Sequence, residues 1–187
     1  MFAKSLRAFY HVDMKSIFGL VGQSGAGKTT LMLEIVKRLP QRVAIVKSLT
    51  TRNKRSEEDD LFYHFISMDE MKKREEEKRL VQISEYDGNL YANDKQELDE
   101  LLAQHYGIAA LVENGVQNLR RAGYNVTVIK ILPVHNQPNA TAAARAAEDA
   151  KRAAINMPAD MILNNSFEPG GKEKAVDQLY RIIESFI

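Results

Sequence analysis

The fold is decided by residues 22–29, which read Gly-Gln-Ser-Gly-Ala-Gly-Lys-Thr. The spacing is that of a phosphate-binding loop: a glycine, four residues of any type, and then Gly-Lys-Ser/Thr. Glycines let successive backbone N–H groups point inward at phosphate oxygens with no side chain in the way. An apolar run at 16–21 precedes the loop, and a helical pattern at 30–38 follows it. This order aims the amino end of a helix at an anion, so the stretch predicts a phosphate site.

The pattern assigns roles to individual loop residues. Lys28 is expected to reach the β- and γ-phosphates of ATP, and the Thr29 hydroxyl to bind the Mg²⁺ that bridges them. Lys28 is therefore a candidate catalytic residue, and Thr29 the candidate metal ligand. The full predicted nucleotide-binding set is Ser24, Gly25, Ala26, Gly27, Lys28, Thr29 and Thr30.

Composition limits the classes of protein to consider. The chain has 187 residues, a hydrophobic share of 44% and a formal net charge of +1. This length predicts one sizeable domain, and the small net charge predicts no recruitment of nucleic acid or of an anionic membrane. The sequence has no cysteine, which excludes disulfides and is consistent with a reducing cytoplasm. Its four histidines lack metal-ligand spacing, and no apolar run is long enough to cross a membrane.

Alternating apolar strands and helices predict an α/β fold with a parallel sheet between two layers of helices. Further strands are expected at 43–46, 61–66, 80–86, 108–112, 126–132 and 161–163, and helices at 68–79, 93–102, 116–122, 140–154 and beyond 171. Ser67 and Asn93 are the expected caps of two of these helices, each with Glu or Gln three residues later.

The domain organisation follows from the same pattern. Residues 1–13 are expected to be an N-terminal extension without the apolar core of a signal peptide, and 14–187 a single domain. Short alternating strands interrupt the α/β rhythm at about 49–100, which predicts an inserted substrate-binding subdomain.

Further motifs follow the loop in a fixed order. They are Ser48-Leu49-Thr50-Thr51-Arg52-Asn53-Lys54-Arg55, Tyr63-His64-Phe65, Gly88-Asn89-Leu90-Tyr91 and Ile131-Leu132-Pro133. Together they resemble the guanylate kinases over 16–187, most strongly over 16–93. The resemblance implies a P-loop kinase fold, ATP and Mg²⁺ as cofactors, a GMP-like phosphorylated acceptor as partner, and a lid at about 134–154.

The resemblance also implies roles for acceptor-site residues. Arg52 and Arg55 would grip the acceptor phosphate, with hydroxyls donated by Tyr63 and Tyr91, and Arg52 would share in catalysis. Glu113 aligns with the acidic residue of the family at the end of a main strand, where it could act on the acceptor or on Mg²⁺ through water. The implied substrate-binding set is Ser48, Arg52, Arg55, Tyr63, Gln82, Tyr91, Asn93 and Glu113.

The sequence departs from the family at the positions that read the base. Gln82 stands where the family has a glutamate that accepts from two guanine donors, whereas a carboxamide offers one acceptor and one donor. Asn93 replaces a small hydroxyl residue. Glu85 lies nearby, but three residues along a strand point to the opposite face. Both changes put guanine specificity in question.

A second departure concerns the lid, which in the family is rich in arginine. Residues 134–141 contain none, and Arg145, Lys151 and Arg152 are the cations that follow. Arg145 matches the family best and is the candidate lid catalyst. The acceptor loop is also about one residue shorter than usual and lacks glycines between Arg55 and Tyr63.

Three functions remain open from the sequence. The first is an ATP-dependent kinase of a nucleoside monophosphate, GMP or dGMP. Its variant is a ribose 1,5-bisphosphate kinase, whose acceptor has no base, which would explain the changes at Gln82 and Asn93. The second is a non-catalytic binding module, which the intact loop argues against. The third is a nucleotide hydrolase, disfavoured by the two acceptor arginines. A monomer or a homodimer is expected.

Overall fold

The computed structural model describes residues 16–86, 88–134 and 158–187. Nine strands lie in these ranges: β1 (Ile17–Val21), β2 (Val43–Ile45), β3 (Ser48–Thr50), β4 (Tyr63–Phe65), β5 (Leu80–Tyr86), β6 (Asn89–Asp94), β7 (Tyr106–Ala110), β8 (Val126–Val134) and β9 (Met161–Ser166). Five α-helices accompany them there: α1 (Lys28–Arg38), α2 (Met68–Glu76), α3 (Lys95–Gln104), α4 (Glu113–Arg121) and α5 (Gly171–Glu184).

The main sheet has five parallel strands in the order β2-β7-β1-β8-β9. β1 lies at its centre and is buried at every position, which explains why its sequence is a continuous apolar run rather than an alternating one. Residues of α1 and α5, among them Leu31, Ile35 and Leu179, pack on one face of the sheet. The three-layer architecture predicted from the alternation of elements is confirmed.

The opposite face of the main sheet is covered by α3 and α4. Leu102 of α3 and Leu119 of α4 lie in one apolar cluster with Ile17 and Val128 of the sheet. Although α3 follows directly after β6, it therefore packs with the main sheet. The five-stranded sheet thus has helices on both faces, as parallel sheets require.

The second sheet is mixed and has the strand order β4-β3-β6-β5. β3 pairs in parallel with β4 and antiparallel with β6, and β6 pairs antiparallel with β5. Leu49 and Ala92 face a small core that is closed by Met71 of α2. Because side chains alternate along a strand, residues one position away face the other side of this sheet, which carries the predicted acceptor residues.

One predicted helix cap is wrong. Asp94, not Asn93, begins α3: its Oδ1 accepts from the backbone N–H groups of Gln96 at 3.0 Å and Glu97 at 3.5 Å. Asn93 stays in β6 and pairs with Gln82. Asp and Asn cap helices about equally well, so the sequence alone could not decide between neighbours. The Ser67 cap is confirmed, since its Oγ accepts from the backbone N–H of Glu70 at 3.1 Å.

Other differences concern the ends of elements. Residues 48–50, where no strand is predicted, form β3. The acidic residues 57–60 lie in a 3₁₀ helix, Glu57–Leu61, which shortens the strand expected at 61–66 to Tyr63–Phe65. Helix α2 ends three residues early, with Lys78 in the left-handed region at φ 55° soon after it. The N-terminal extension, the helix expected at 140–154 and Arg145 lie outside the described residues.

Candidate active site

The phosphate loop joins β1 to α1 in a conformation that needs its glycines. Gly25 and Gly27 have φ values of 80° and 86°, in the left-handed region that side chains disfavour. A Cβ built on Gly22 would lie 2.5 Å from the Ile131 carbonyl oxygen, and one on Gly27 would lie 2.4 Å from Asn165 Nδ2. The glycines that define the motif are thus required by the backbone path and by close neighbours, and they leave the inner side of the loop open to a ligand.

Lys28 folds back across this loop. Its Nζ donates to the carbonyl oxygens of Gly22 at 2.7 Å and Gln23 at 2.8 Å, so the ammonium lies against the loop rather than out in solvent. Thr29 and Thr30 follow in the exposed first turn of α1. The structure therefore brings the predicted nucleotide set together at the amino end of one helix, where anions are favoured.

Asn165 is a loop contact that the sequence analysis missed. It lies in β9, is 5% exposed, and donates from Nδ2 to the carbonyl oxygen of Ala26 at 2.8 Å. Its signal in the sequence is weak: Asn165 stands two residues after Leu163, on the same buried face of the strand. A polar side chain at a buried position must find a partner, and here the partner is the phosphate loop.

Arg52, a residue of the predicted acceptor set, is held by burial, hydrogen bonds and aromatic contacts. It is 7% exposed, and its Nη1 donates to Asp59 Oδ2 at 3.1 Å and to the Asn53 carbonyl oxygen at 3.0 Å. Its guanidinium carbon lies 4.9 Å from the centre of the Tyr63 ring and 5.6 Å from that of Phe65. Burial opposes the charge of Arg52, but the hydrogen bond that Arg52 donates to Asp59 and the negative charge of Asp59 together outweigh burial, so the pKa of Arg52 is raised.

Four predicted acceptor residues share a face with Arg52. Tyr63 pairs with Ser48 across β3 and β4, and its ring meets that of Tyr91 edge-on at 6.1 Å. Burial, and then the nearby Tyr91, raise the pKa of the Tyr63 hydroxyl, which keeps it a hydrogen-bond donor. Asn93, two residues after Tyr91, lies on the same face. Arg55, in contrast, is exposed.

The positions predicted to read the base lie where β5 and β6 pair. Asn93 is 2% exposed, and its Nδ2 donates to the Lys47 carbonyl oxygen at 3.0 Å. Gln82 occupies the opposite position of the ladder. The two carboxamide residues that distinguish this sequence from the family are therefore direct neighbours across the strands.

Glu113 lies on the main sheet rather than on the second. It is the first residue of α4, which follows β7, and the Leu111 N–H that precedes it donates to the Leu20 carbonyl oxygen at 3.0 Å. Since β7 and β1 are parallel neighbours, Glu113 and the phosphate loop leave the sheet at the same edge. The chain also enters the second sheet from that edge, because β3 begins shortly after β2 ends. Folds with parallel sheets bind their ligands at the carboxyl ends of the strands.

No ready-made metal cage accompanies these residues. Over 16–86, 88–134 and 158–187 there is no group of three or more His, Asp or Glu residues placed to hold an ion. Mg²⁺ commonly needs only one or two protein ligands when substrate phosphates supply the others, and the exposed Thr29 in the glycine loop fits that manner of binding. No described helix is long and apolar enough to cross a membrane.

A glycine loop between a central parallel strand and a helix, with helices on both faces of the sheet, defines a P-loop α/β protein. Comparison with known proteins narrows the class. A family model described as guanylate kinase matches residues 14–185. The chain belongs to the guanylate kinase family.

Curated relatives agree with this assignment. The chain is 31% identical over 120 residues to a guanylate kinase of Cupriavidus metallidurans, which covers 63% of this chain. It is 38% identical over 88 residues, 46% of this chain, to one from Bartonella henselae, and 29% identical over 126 residues, 65% of this chain, to one from Synechocystis. The chain spans 55%, 39% and 66% of the length of these three relatives.

A solved structure supports the fold. The crystal structure of guanylate kinase from Anaplasma phagocytophilum superposes with a TM-score of 0.63 and 16% sequence identity, covering 92% of this chain and 86% of that one. At this identity the likeness concerns the fold alone. The family resemblance seen in the motifs and the fold class predicted from the sequence are both confirmed.

Proposed function

We propose that this protein transfers the γ-phosphate of ATP to a nucleoside monophosphate, GMP or dGMP. The observation that carries the proposal is that the two groups of residues predicted to bind anions lie at one edge of the main sheet. The phosphate loop follows the carboxyl end of β1. The second sheet, with Arg52, Tyr63 and Tyr91, begins after the carboxyl end of β2. Family membership supports the same reaction.

The phosphate loop is suited to hold the phosphoryl donor. Its backbone N–H groups and the amino end of α1 bind the phosphates of ATP. Lys28 exchanges its two carbonyl partners for phosphate oxygens, which brings a positive charge to the phosphoryl group that moves. Thr29 holds Mg²⁺, which neutralises charge on the β- and γ-phosphates when bound. Lys28 thus acts as a positioned cation rather than as an acid or a base.

The second sheet is suited to hold the acceptor. Arg52 and Arg55 bind its phosphate, and the hydroxyls of Tyr63 and Tyr91 donate to it. Positioning of both substrates accounts for most of the catalysis of phosphoryl transfer, because the protein itself forms no covalent bond.

The remaining predicted residues complete the proposal. Ser48, Gln82 and Asn93 lie beside the acceptor base, and Glu113 acts on the acceptor or on Mg²⁺ through water. Arg145 supplies the lid cation. These assignments rest on the family resemblance and on the placement of the described residues.

Ribose 1,5-bisphosphate is a second candidate acceptor. The observation that favours it is the pair of neighbouring residues Gln82 and Asn93, which replace the residues with which the family reads guanine. An acceptor without a base would make no demand on these two positions.

The test is ADP release from Mg-ATP with GMP, dGMP, AMP, UMP, dTMP, CMP and ribose 1,5-bisphosphate as acceptors. The expected result is release stimulated by GMP or dGMP and lost about 100-fold or more in Lys28→Ala. Lys37→Ala is the matched control, since Lys37 is on the same helix with its side chain 70% exposed. If ribose 1,5-bisphosphate is the one acceptor that stimulates ADP release, it takes the place of GMP and dGMP as the proposed acceptor. ATP binding without release for any acceptor would mean a binding module.

A further inference from the structure

In the loop between β3 and β4, acidic side chains outnumber the basic ones and pair with them. Residues 52–60 contain three cationic side chains and four carboxylates, the latter consecutive at 57–60. Lys54 Nζ donates to two of these carboxylates, Glu57 at 2.8 Å and Asp60 at 2.7 Å. The loop proposed to hold a phosphate dianion therefore carries more negative than positive charge, which opposes the binding of any anion.

Asp59 is the carboxylate that reaches the proposed phosphate site. Its Oδ2 accepts from Arg52 Nη1 at 3.1 Å and from the backbone N–H of Arg55 at 2.8 Å. The Asp59 side chain is 18% exposed. An oxygen anion of the protein thus occupies donors of the same two residues that the acceptor phosphate would use.

The surroundings of Arg52 keep this contact in place. The Tyr63 and Phe65 rings lie within 4.9 and 5.6 Å of the guanidinium carbon, and Nη1 also donates to the Asn53 carbonyl oxygen. Burial opposes ionisation of Asp59, but the hydrogen bonds from Arg52 and the Arg55 backbone outweigh it, and the pKa of Asp59 is lowered. Asp59 is therefore an anion at neutral pH, and a phosphate at Arg52 would meet a like charge.

We propose that Asp59 is an internal competitor of the acceptor phosphate, and that the acceptor binds by displacing the Asp59 carboxylate from Arg52. The proposal rests on the proposed function and names a residue that sets acceptor affinity. A doubly charged phosphate gains more from Arg52 and Arg55 than a singly charged carboxylate does. Asp59 therefore selects acceptors that carry a phosphate dianion against uncharged nucleosides.

The first test compares Asp59→Asn with Glu58→Gln by calorimetric titration with GMP. Glu58 is the exposed neighbour of Asp59, so its substitution removes the same charge from the loop without touching Arg52. Asp59→Asn is expected to lower the Kd of GMP about three- to tenfold, the range of a partly buried ion pair, and Glu58→Gln less than about twofold. A Kd that rises in Asp59→Asn would mean that Asp59 positions Arg52. Equal effects of the two variants would mean that only loop charge matters. Either result overturns the proposal.

The second test uses the unaltered protein, so it does not depend on a variant that folds. The pKa of the Asp59 carboxyl is followed by carbon-13 NMR with and without saturating GMP. Displacement from Arg52 predicts that GMP raises this pKa toward its ordinary value. A pKa that stays the same or falls would show that Asp59 keeps its partner, and would overturn the proposal.

Failure of the inference can be distinguished from failure of the proposed function. Inorganic phosphate presents the same dianion without a base, and both measurements are repeated with it. If phosphate raises the pKa of Asp59 but GMP does not bind, the displacement stands and GMP is not the acceptor. If GMP is phosphorylated while Asp59 stays on Arg52, the reaction stands and the displacement is wrong.

Discussion

Gln82 lies opposite Asn93 at the position where the family reads guanine. We predict that Gln82→Glu raises kcat/KM for GMP about tenfold or more, because a carboxylate accepts from both guanine donors whereas a carboxamide leaves one without a partner. The measurement is steady-state ADP release with GMP and with AMP as acceptors in separate reactions, counting the two ADP formed for each AMP phosphorylated.

The control for this substitution is Gln178→Glu, which adds the same charge on the exposed side of α5. It should leave both acceptors unaffected. An unchanged kcat/KM for GMP in Gln82→Glu, or a gain for AMP instead, would contradict a direct role of Gln82 in base recognition.

At the scale of residues, the sequence predicts identities better than it predicts partners. The placement of Ser48, Tyr63 and Tyr91 on one face follows from motifs and alternation, both of which are local. The contact between Arg52 and Asp59 does not, because any of the four acids at 57–60 could have turned inward. The 3₁₀ helix decides which one does so, and its formation depends on the packing of the whole loop.

The phosphate loop and β9 are joined by one side chain. We predict that Asn165→Ala lowers the free energy of unfolding by about 1–3 kcal/mol and raises the KM for ATP, because the buried Ala26 carbonyl oxygen loses its donor. Chemical denaturation and steady-state kinetics measure the two effects.

Asn164→Ala is the matched control for this prediction. Asn164 is the neighbouring residue of β9 and is exposed. The same truncation there should change neither quantity appreciably. A KM for ATP that does not respond to Asn165→Ala would mean that the loop keeps its shape without this anchor.

Helix α3 begins at a carboxylate that also joins it to the second sheet. Asp94 has a fully buried side chain, and its Oδ2 accepts from Arg79 Nη2 at 2.7 Å and from Arg74 Nη1 at 3.3 Å. We predict that Asp94→Ala lowers the free energy of unfolding by about 1–3 kcal/mol, because α3 loses its cap and the two arginines lose a buried carboxylate acceptor. Urea denaturation provides the measurement.

The matching substitution is Asp94→Asn, because asparagine caps a helix as well as aspartate does. Asp94→Asn therefore keeps the cap and removes only the charge that pairs with Arg74 and Arg79. Most of the decrease in unfolding free energy seen with Asp94→Ala should also be seen with Asp94→Asn. If Asp94→Asn is as stable as the unaltered protein, capping accounts for the whole effect and the arginine contacts contribute nothing.

At the scale of elements, type is easier to predict than extent. Ser67 caps α2 as expected, because capping requires only residues close in sequence. The start of α3 at Lys95, after Asp94 and not after Asn93, depends instead on how far β6 continues its pairing with β5. That pairing joins residues distant in sequence, so periodicity alone gives no signal for it.

The stability of the whole molecule should fall in acid. The pKa of Glu70 is lowered, first by its hydrogen bond with Arg74, and that of Asp59 by Arg52 and the Arg55 backbone against the opposing effect of burial. A carboxyl whose pKa is lower in the folded state stabilises the protein above its unfolded pKa and loses that contribution as pH falls. We therefore predict that the free energy of unfolding decreases from about pH 5 downward.

The Asp59 share of this decrease can be isolated with Asp59→Asn. The difference in unfolding free energy between the unaltered protein and the variant should shrink as the pH falls from about 4, the ordinary pKa of the unfolded carboxyl, through the lowered pKa of folded Asp59, below which both proteins carry an uncharged group at this position. Denaturation curves at a series of pH values measure it. A difference that stays constant with pH would mean that Asp59 is not ionised in an ion pair.

At the scale of the molecule, the class of fold could be predicted and the assembly of its sheets could not. Strands alternating with helices imply a parallel sheet, and the phosphate loop implies which strand leads to the ligand. The position of β7 between β1 and β2 has no signal in the sequence. It depends on which strands pair when the hydrophobic core forms, and those strands are distant in sequence. That Asn165 of the last strand reaches the first loop follows from this order.

The ends of the second sheet lie side by side. Its chain enters at Lys47 and leaves at Asp94, and the side chain of Asn93 joins the two ends across 3.0 Å. Because the two ends meet, we expect that this segment can be replaced by the corresponding segment of a relative, provided that the packing of Val81 against the core below the main sheet is kept. Under the proposed function, the residues expected to hold the acceptor phosphate and base within 48–93 would be exchanged together, while the phosphate loop stays in place.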